Sequence, residues 1–460
     1  MFHIETINYL KPGCQTKKDM LDYKYNDRRK NDKTYVSKRD TGGKVIRLLI
    51  IADDFTGALD TAVKFSNKGI KVKVTLERKY EFVQTEDEEV IVIDADTRHL
   101  DKNVAYTIIF DIVQRAKKAS INYIYKKTDS ALRGNIGSEL SAMVDVSDKK
   151  RIIFVPAFPQ MNRVVKNGVL YIDEIEVHNS IFGKDPFEPV RHSYIPEIIK
   201  EQSSVNTTIL PIKETKEKIK NISGIVIYDA CTIEELKKIG AELNQSNELQ
   251  IMAGCAGFAE ILPDLLCMTT RHNPSFQKYE KFLVVCGSIN PITKQQIEYA
   301  QRDGFYKIVL TNEQKLNKLY WMTQEGKTYL ENIMDCCKSK TYCTIDTNDT
   351  SEKQNSMDYI KEHNLSLEEV RSTIADNLTE VIKKILLAGY QGNILITGGD
   401  ILHCFINKLN VKELIPIIEI EPGVVLSIFE WNKKTYQIMS KSGGFGGENL
   451  ISELVKKTKL

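Results

Sequence analysis

Residues 45–65, VIRLLIIADDFTGALDTAVKF, decide the fold class of this 460-residue chain. An apolar run of strand length breaks at Asp53 and Asp54, and a helical pattern then continues to about Gly69. The same succession of a β-rich run, a polar turn and an amphipathic stretch recurs along the chain. This alternation is typical of a mainly parallel sheet flanked by helices. The sequence therefore predicts an α/β protein.

The length of the chain predicts two α/β domains, because ordinary domains run to roughly 100–200 residues. We assign residues 1–44 to a polar N-terminal extension, residues 45–265 to a first domain and residues 278–460 to a second. Pro263, Asn273 and Pro274 mark the boundary before a fresh strand that starts at Phe282. We expect a mainly parallel sheet in each domain and a site in the cleft between them.

Composition narrows the class of protein. Basic and acidic side chains number 64 and 62, which leaves too weak a field for a nucleic-acid binder. No apolar run approaches the ~20 residues that cross a bilayer. The nine cysteines contain no CxxC pair, so neither a disulfide framework nor a zinc site is indicated. We expect a cytoplasmic protein without nucleic-acid or membrane partners.

Charged side chains collect after the predicted strands of the first domain, where open α/β sheets bind ligands. The cations would clamp a carboxylate, Arg133 through two parallel hydrogen bonds, and paired aspartates would orient hydroxyls or hold magnesium. Solvated strand ends and helix caps are the competing interpretation. The candidates are Asp53, Asp54, Arg98, Lys126, Lys127, Asp129, Ser130 and Arg133.

Three glycine-bearing turns follow predicted strands of the second domain. They are Gly287–Ser288, Gly398–Asp400 and Gly443–Gly447. Glycine lets a backbone approach a ligand closely, and amides at such turns point at anions, so three turns in one short domain favour a nucleotide over ordinary turns. Neither a Walker A loop nor a dinucleotide fingerprint occurs.

A hairpin-like pattern between Gly168 and Val190 predicts an insertion that reaches over the cleft. His178 lies in this candidate flap and is the one histidine that we retain as a candidate functional group.

Taken in order, these segments resemble the four-carbon acid sugar kinase family. The resemblance covers nearly everything from Val45 onward. It rests on Ala52–Ala58, Asp96–Arg98, Lys126–Gly137, Pro156–Gln160, Asp185–Pro186, Gly287–Ser288, Thr293 with Gln296, Thr397–Asp400, Glu421–Gly423 and Ser442–Gly446.

The resemblance implies an acid-sugar domain followed by a nucleotide domain. It also implies ATP-dependent phosphorylation of the terminal 4-hydroxyl of threonate, erythronate or 3-oxo-tetronate. The first-domain candidates would then face the acid. Ser288, Gly398, Gly399, Asp400, Ile401 and Gly443 would hold ATP with Mg²⁺, and Gly444 would join Gly443 in a phosphate cradle. The candidate bases are Asp54 and Asp400, with Asp129 third.

The chain departs from the family pattern in three places. Asn162-Arg163-Val164-Val165 stands where the family usually has Gly-Arg-Thr-Thr, which removes two hydroxyls near the substrate side. Ile289 and Ile401–Leu402 replace small polar residues at the nucleotide turns. The identity of the acid is therefore open, as is the choice between a monomer and a homodimer.

Two other functions compete with a kinase. A catalytically silent sensor would bind a sugar acid or nucleotide and signal through domain closure. A silent relative is expected to lose some site residues, whereas the acidic and basic candidates and all three glycine turns are intact here. An NAD-dependent dehydrogenase shares the fold class, but the chain lacks its fingerprint.

Overall fold

The structure is a computed structural model that describes residues 46–82, 88–185, 188–268, 275–349 and 355–459. The predicted extension over residues 1–44 lies outside these ranges, as does part of the predicted boundary region. We call the described chain up to residue 268 the first half, and the described chain from residue 275 the second half.

Strands and helices alternate in the first half. Its strands are β1 (Leu48–Ala52), β2 (Val72–Thr75), β3 (Val90–Asp94), β4 (Tyr123–Lys127), β5 (Arg151–Val155), β6 (Arg163–Lys166), β7 (Val169–Ile172), β8 (Ile175–Glu176), β9 (Thr207–Ile209), β10 (Gly224–Ile227) and β11 (Ile251–Gly254). Its helices are α1 (Phe55–Ser66), α2 (Lys102–Lys118), α3 (Ile136–Val146), α4 (Ile195–Lys200), α5 (Thr215–Lys218), α6 (Ile233–Gln245), α7 (Ala256–Ala259) and α8 (Leu262–Leu265).

The second half continues the alternation and ends in an antiparallel ribbon. Its strands are β12 (Phe282–Cys286), β13 (Tyr306–Val309), β14 (Tyr342–Asp346), β15 (Asn393–Thr397), β16 (Glu413–Glu421), β17 (Val424–Trp431) and β18 (Lys434–Lys441). Its helices are α9 (Pro291–Arg302), α10 (Asn312–Leu316), α11 (Gln324–Ser339), α12 (Ser356–Glu362), α13 (Leu367–Leu387), α14 (Gly399–Lys408) and α15 (Leu450–Lys459).

One large sheet runs through both halves, in the order β13-β14-β12-β15-β18-β17-β16-β2-β3-β1-β4-β11-β5-β10-β9. Its strands are parallel except at the β2–β16, β16–β17 and β17–β18 pairs. The predicted α/β class is confirmed. Mainly parallel strands lie in both halves, as predicted, and the two sets join into one sheet. The long β16 pairs with β17 along most of its length. Its first two residues also pair with β2, where Leu414 lies opposite Val74 and Glu413 opposite Thr75.

The central strands are apolar on both faces. All five residues of β1 and of β3 are buried, as are all five of β12 and β15. Helices cover a parallel sheet on both sides, so its strands need apolar side chains at every position. The polar residues that come after these strands therefore emerge at the carboxyl edge of the sheet.

Three short strands, β6 to β8, form a separate antiparallel sheet. The predicted hairpin is present, although it begins at Arg163 rather than at Gly168. Two single-turn helices come next, and the second, Ile181–Lys184, carries Phe182. This small sheet and its subsequent turns place Phe182 and Asp185 beside the carboxyl edge of the first half.

Helix α1 contacts the second half at its middle and its end. Ser442 donates a hydrogen bond to Asp60 Oδ2 at 2.6 Å, and Lys64 Nζ lies 2.6 Å from Glu419 Oε2. Ser66 Oγ donates to the Pro416 carbonyl at 2.7 Å. The helix that comes after the first strand is therefore also part of the junction between the halves.

Candidate active site

The strand ends of the first half gather the predicted charged side chains. Ala52 at the end of β1 lies opposite Asp94 of β3 and Lys127 of β4, so the segments after these strands start side by side. Helix α1 begins at once, with Asp54 as its N-cap and the Gly57 amide donating to Asp54 Oδ1 at 3.2 Å. The sequence order alone therefore brings Asp53, Asp54 and Lys127 together.

Arg98 ties this cluster together. Its guanidinium lies 2.7 Å from Asp53 Oδ2, 2.5 Å from Asp54 Oδ1 and 3.8 Å from Asp129 Oδ1. Burial would raise the pKa of Asp53, but Arg98, Lys126 and Lys127 outweigh burial and the pKa is lowered. Asp53 is thus a buried anion with matched cations, which is the condition under which a buried charge is stable.

Asp129 and Arg133 form a second pair beside Arg98. Arg133 donates from Nε to Asp129 Oδ2 at 2.9 Å and from Nη2 to Asp129 Oδ1 at 3.1 Å. Burial would raise the pKa of Asp129, but Arg133 and Arg98 hold it well below its usual range. The remaining guanidinium nitrogen of Arg133 reaches Asp185 Oδ2 at 3.2 Å. Asp129 therefore orients Arg133.

The small sheet adds an aromatic and a third arginine to this pair. The guanidinium groups of Arg133 and Arg163 each lie 5.1 Å from the centre of the Phe182 ring. Arg163 also donates a hydrogen bond to Ser130 Oγ. This arrangement holds two cations over one ring, and it fixes the hydroxyl of Ser130 beside Asp129.

Lys126 and Lys127 have different surroundings although they are adjacent. Lys126 is completely buried and pairs with Glu139 of α3 at 2.9 Å. The ammonium group of Lys127 donates to the Thr128 carbonyl at 2.8 Å and lies beside Gly57 and Asp54. We predicted that both lysines face the acid. The structure places the ammonium group of Lys127 beside Asp54 and that of Lys126 beside Glu139, because successive side chains of a strand point to opposite faces.

The glycine turns of the second half share one sheet edge. Cys286, Thr397 and Lys441 end β12, β15 and β18 and lie side by side in register. Gly398 has φ 105°, a conformation that favours glycine, and a side chain at Gly287 would collide with Ile401 at 1.8 Å. Ile401 itself is buried. These turns therefore present backbone to the edge, and the Ile401 side chain supports them from below.

The two groups of residues meet at the start of α1. A Cβ atom on Gly399 would lie 2.7 Å from Thr56 Oγ1, and the rings of Phe55 and His403 are 5.9 Å apart. The turn after β15 therefore packs against the turn after β1. Asp54 and the Gly398–Gly399 backbone lie within one helical turn of this contact.

Two family models match the predicted acid-sugar domain and the predicted nucleotide domain. A sugar-binding N-terminal domain matches residues 48–262, and a nucleotide-binding C-terminal domain matches residues 283–451. The chain belongs to the four-carbon acid sugar kinase family.

Curated members of the family match along nearly the whole chain. A D-threonate kinase of Salmonella typhimurium is 24% identical over 89% of this chain and 97% of its own length. A D-erythronate kinase of Heliobacterium modesticaldum is 24% identical over 77% of this chain and 83% of its own. A 3-oxo-tetronate kinase of Brucella melitensis is 20% identical over 90% of this chain and 97% of its own.

Solved structures show the same fold. One from Salmonella typhimurium LT2 has a TM-score of 0.72 at 20% identity and covers 89% of this chain and 99% of its own. One from Haemophilus influenzae has a TM-score of 0.69 at 19% identity, with 90% and 100% covered.

The structure shows the surroundings of the residues that depart from the family pattern. Asn162 has φ 51°, which glycine and asparagine tolerate best, so it replaces the family glycine with little strain. Val165 is buried in the core of the small sheet, whereas Val164 is partly exposed. The family pattern has threonine at both positions. The hydroxyl of the threonine that Val165 replaces would lie in the core.

A cavity of about 450 Å³ lies between the halves. Arg98, Arg133 and Glu188 line it from the first half, and Glu368 and Arg371 from the second. Asp400 is half exposed and lies 3.6 Å from Arg371, so it faces this side of the junction. The two leading candidate bases have different partners, since Asp54 contacts Arg98 and Asp400 lies toward Arg371.

Several polar groups of the site were not predicted. Glu139 and Asp60 carried no signal, because each lies inside a helical pattern with no acidic residue beside it. Lys441 precedes a predicted turn but was passed over in favour of the glycines. The retained His178 contacts Ser193 Oγ at 2.7 Å and so belongs to the packing of the small sheet.

No helix in the described ranges is long and apolar enough to span a bilayer.

Proposed function

We propose that this chain transfers the terminal phosphoryl group of Mg-ATP to the 4-hydroxyl of a four-carbon acid sugar, namely threonate, erythronate or 3-oxo-tetronate. The contact between Thr56 and Gly399 carries the proposal, because it brings the charged cluster and the glycine turns to one point. Phosphoryl transfer depends mainly on such placement of acceptor and donor. The free thiols of every cysteine in the described part of the chain suit a reducing cytoplasm.

The cationic side of the cluster would bind the acid. Arg133 is held in place by Asp129 and Asp185, and Lys127 uses one donor on the Thr128 carbonyl. A substrate carboxylate would take the remaining donors, and Ser130 and Asp53 would contact hydroxyls. Lys126 and Glu139 would contribute indirectly, because their ion pair would fix the end of β4.

The nucleotide would lie along the second-half edge. Backbone amides at Ser288, Gly398, Gly399, Gly443 and Gly444 are available there, and Ile401 would contribute its backbone, since its side chain is buried. A side chain at Gly443 would meet nothing within 4 Å, so this turn is open toward a ligand. Amides at helix starts favour phosphate oxygens.

Magnesium would come bound to the nucleotide. Within the described ranges, no group of three or more His, Cys, Asp or Glu side chains is arranged to hold a metal. Mg²⁺ at such sites usually takes one or two carboxylates and the phosphates themselves. Asp400, in the first turn of α14, offers one carboxylate that fits this pattern. Bound there, the ion would neutralise phosphate charge.

Asp54 is the best placed of the three predicted bases. Both oxygens of Asp129 are bound to Arg133, and Asp400 lies toward Arg371. The described contacts of Asp54 use only Oδ1, and its side chain is 26% exposed. Asp54 Oδ2 would accept the proton of the attacking hydroxyl while the new O–P bond forms and the bond to the ADP oxygen breaks.

An ADP-release assay with the stereoisomers of threonate and erythronate and with 3-oxo-tetronates tests this function. We expect turnover with one acid, and a loss of about 100-fold or more in kcat for Asp54→Asn. Arg133→Ala should raise KM for the acid. Asp148→Asn, at a side chain 89% exposed, is the matched control and should be neutral. Binding of acid and nucleotide without ADP release would instead support a sensor.

A further inference from the structure

Lys441 is a buried lysine whose described side-chain contacts are both with neutral groups. It is 3% exposed, and its ammonium group donates to the Gly443 carbonyl at 2.5 Å and to Thr293 Oγ1 at 3.3 Å. Both acceptors are neutral. Among the residues that the structure describes, no carboxylate forms an ion pair with Lys441.

Other poorly exposed lysines of the chain do have acidic partners. Lys126 pairs with Glu139 at 2.9 Å, Lys307 with Asp346 at 3.1 Å and Lys315 with Asp349 at 2.5 Å. Buried charges are normally paired, because removal of an ion from water costs several kcal/mol. Lys441 therefore departs from the pairing that these three lysines show.

The position of Lys441 indicates which group would pair with its ammonium charge. It is the last residue of β18, in register with Thr397 of β15, and Thr397 is in register with Cys286 of β12. Each of these strands leads directly into one of the three glycine turns. Thr293, the other contact of the ammonium, lies in the first turn of α9 just after the Gly287–Ser288 turn. Lys441 thus lies between two of the turns that would hold phosphates.

We propose that Lys441 is the cation that binds the phosphate chain of the nucleotide, as a binding residue of the second half that directly contacts a phosphate oxygen. This inference rests on the nucleotide role proposed above for the same turns. An anion at the turns would supply the missing charge. Thr293 and the Gly443 carbonyl would keep the ammonium aimed at it.

Electrostatics support this placement. Burial lowers the pKa of Lys441 to about 8, since no carboxylate opposes the effect of burial. A phosphate beside the ammonium favours its charged form and would raise this pKa again. The free protein would therefore take up a proton at Lys441 when it binds a nucleotide near pH 8.

Calorimetric titration of ADP and of adenosine into the full chain tests the role of Lys441. We expect Lys441→Met to weaken ADP binding by about 10- to 100-fold, the usual effect of losing a hydrogen bond to a charged group. Adenosine, which carries no phosphate, should bind both proteins equally. Lys434→Met, at the exposed start of the same strand, is the matched control and should bind ADP normally.

The thermal midpoint separates a binding role from a structural one. Methionine removes an unpaired buried charge and keeps much of the side-chain volume, so Lys441→Met should unfold no earlier than the wild type. If the variant binds ADP as tightly as the wild type, the inference is overturned and the kinase proposal stands. If the wild type binds no ADP and shows no turnover with any acid, both are overturned.

The pH dependence of ADP binding gives a second readout. Above pH 8 the free wild type must gain a proton to bind, so affinity should fall toward tenfold per pH unit, whereas Lys441→Arg should stay flat from pH 7 to 9. Two neighbouring titratable groups lie outside this window. Burial raises the pKa of the Cys286 thiol to about 11, and that of Asp60, bound to Ser442, to about 6. Identical profiles for both proteins would overturn the assignment.

Discussion

The charged cluster depends on Arg98, because among the described residues only Arg98 forms ion pairs with both Asp53 and Asp54. A lysine in its place would keep the charge but could not hold both carboxylates with one ammonium group. We expect Arg98→Lys to lower kcat/KM by about 100-fold or more, with a modest loss of stability. Arg98→Ala leaves Asp53 buried and unpaired, and should cost about 3–5 kcal/mol of unfolding free energy. Urea denaturation and steady-state kinetics measure the two effects.

Arg302→Lys, on the exposed face of α9, is the matched control for the change of side chain. It should alter neither activity nor stability. Normal turnover in Arg98→Lys would show that a single positive charge suffices, and would remove the bridging role.

Asp60 makes stability depend on pH. Its Oδ1 is buried without a described hydrogen bond, and burial raises its pKa to about 6 despite the Ser442 hydroxyl. The unfolded pKa is ~3.9, so the folded chain holds this proton more tightly. The stabilising contribution of Asp60 is thus fully present below pH ~4 and is lost as pH rises through 6. Asp60→Asn should therefore gain about 2–3 kcal/mol over the wild type at pH 8 and nothing at pH 4.

Urea midpoints measured across that pH range decide the matter for Asp60. Thr61→Ser, the next position of the same helix, serves as a control for changes in α1. A gain in Asp60→Asn that is equal at pH 4 and pH 8 would contradict the assigned titration.

At the scale of single residues, chain order was enough to predict part of the site. Asp53 and Asp54 come directly after β1, and Arg98 lies in the loop after the neighbouring β3, so the three side chains meet at one edge of the sheet. Chain order did not predict the partner of Lys126, because the alternation of a buried strand and the position of Glu139 on α3 decide where that ammonium group points. Lys441 was missed because the missing acid is a property of three-dimensional surroundings, which a lone lysine in a sequence does not reveal.

At the scale of elements, the approach of α14 to α1 is set by a missing side chain. A Cβ atom on Gly399 would lie 2.7 Å from Thr56 Oγ1, although the backbone of Gly399 itself does not require glycine. Gly399→Ala should therefore push the turn after β15 away from Asp54. Because displacement of about 1 Å can cost 100-fold in rate, we expect kcat to fall by about 10- to 100-fold without global unfolding.

Removal of the opposing hydroxyl should relieve this clash. Thr56→Ala takes away Oγ1, and the next described atom that the new Cβ would meet is Thr56 Cβ at 3.9 Å. We expect the double variant Gly399→Ala/Thr56→Ala to recover most of the kcat of Thr56→Ala alone. If the double variant stays as slow as Gly399→Ala, the effect arises at the ligand rather than at the helix contact.

Elements with regular alternation were predictable, and the irregular ones were only partly so. The strand ends, the glycine turns and the hairpin of the small sheet are all marked by polar and glycine residues between apolar runs. The start of β6 at Arg163 was missed because Val164 and Val165 also suit a strand of the main sheet. The contacts of Phe182 with two arginines depend on how the small sheet folds back, which local pattern does not encode.

At the scale of the whole molecule, the two halves share a sheet. The β2–β16 pair joins strands that lie far apart in sequence. Such a pairing leaves no local signal, so the sequence predicts a mainly parallel sheet in each domain but not the pair that joins them. Lys73 lies 3.0 Å from Glu413 and Lys412 lies 2.6 Å from Glu77, which supports the same junction. Together with the contacts of α1, this junction limits how far the halves can move apart.

The shared sheet should make the halves unfold together. We expect one calorimetric transition, raised as a whole by ADP alone or by the substrate acid alone, since a ligand at 100 times its Kd adds about 2.7 kcal/mol to a cooperative unit. Lys64→Met, which breaks the half-buried pair with Glu419, should broaden or split that transition. Lys68→Met is the matched control, because its exposed pair with Asp264 lies within the first half. Two wild-type transitions, with ADP shifting only one, would show that the β2–β16 pair and α1 do not couple the halves, and that closure over the ligands is free to occur as a hinge between independent domains.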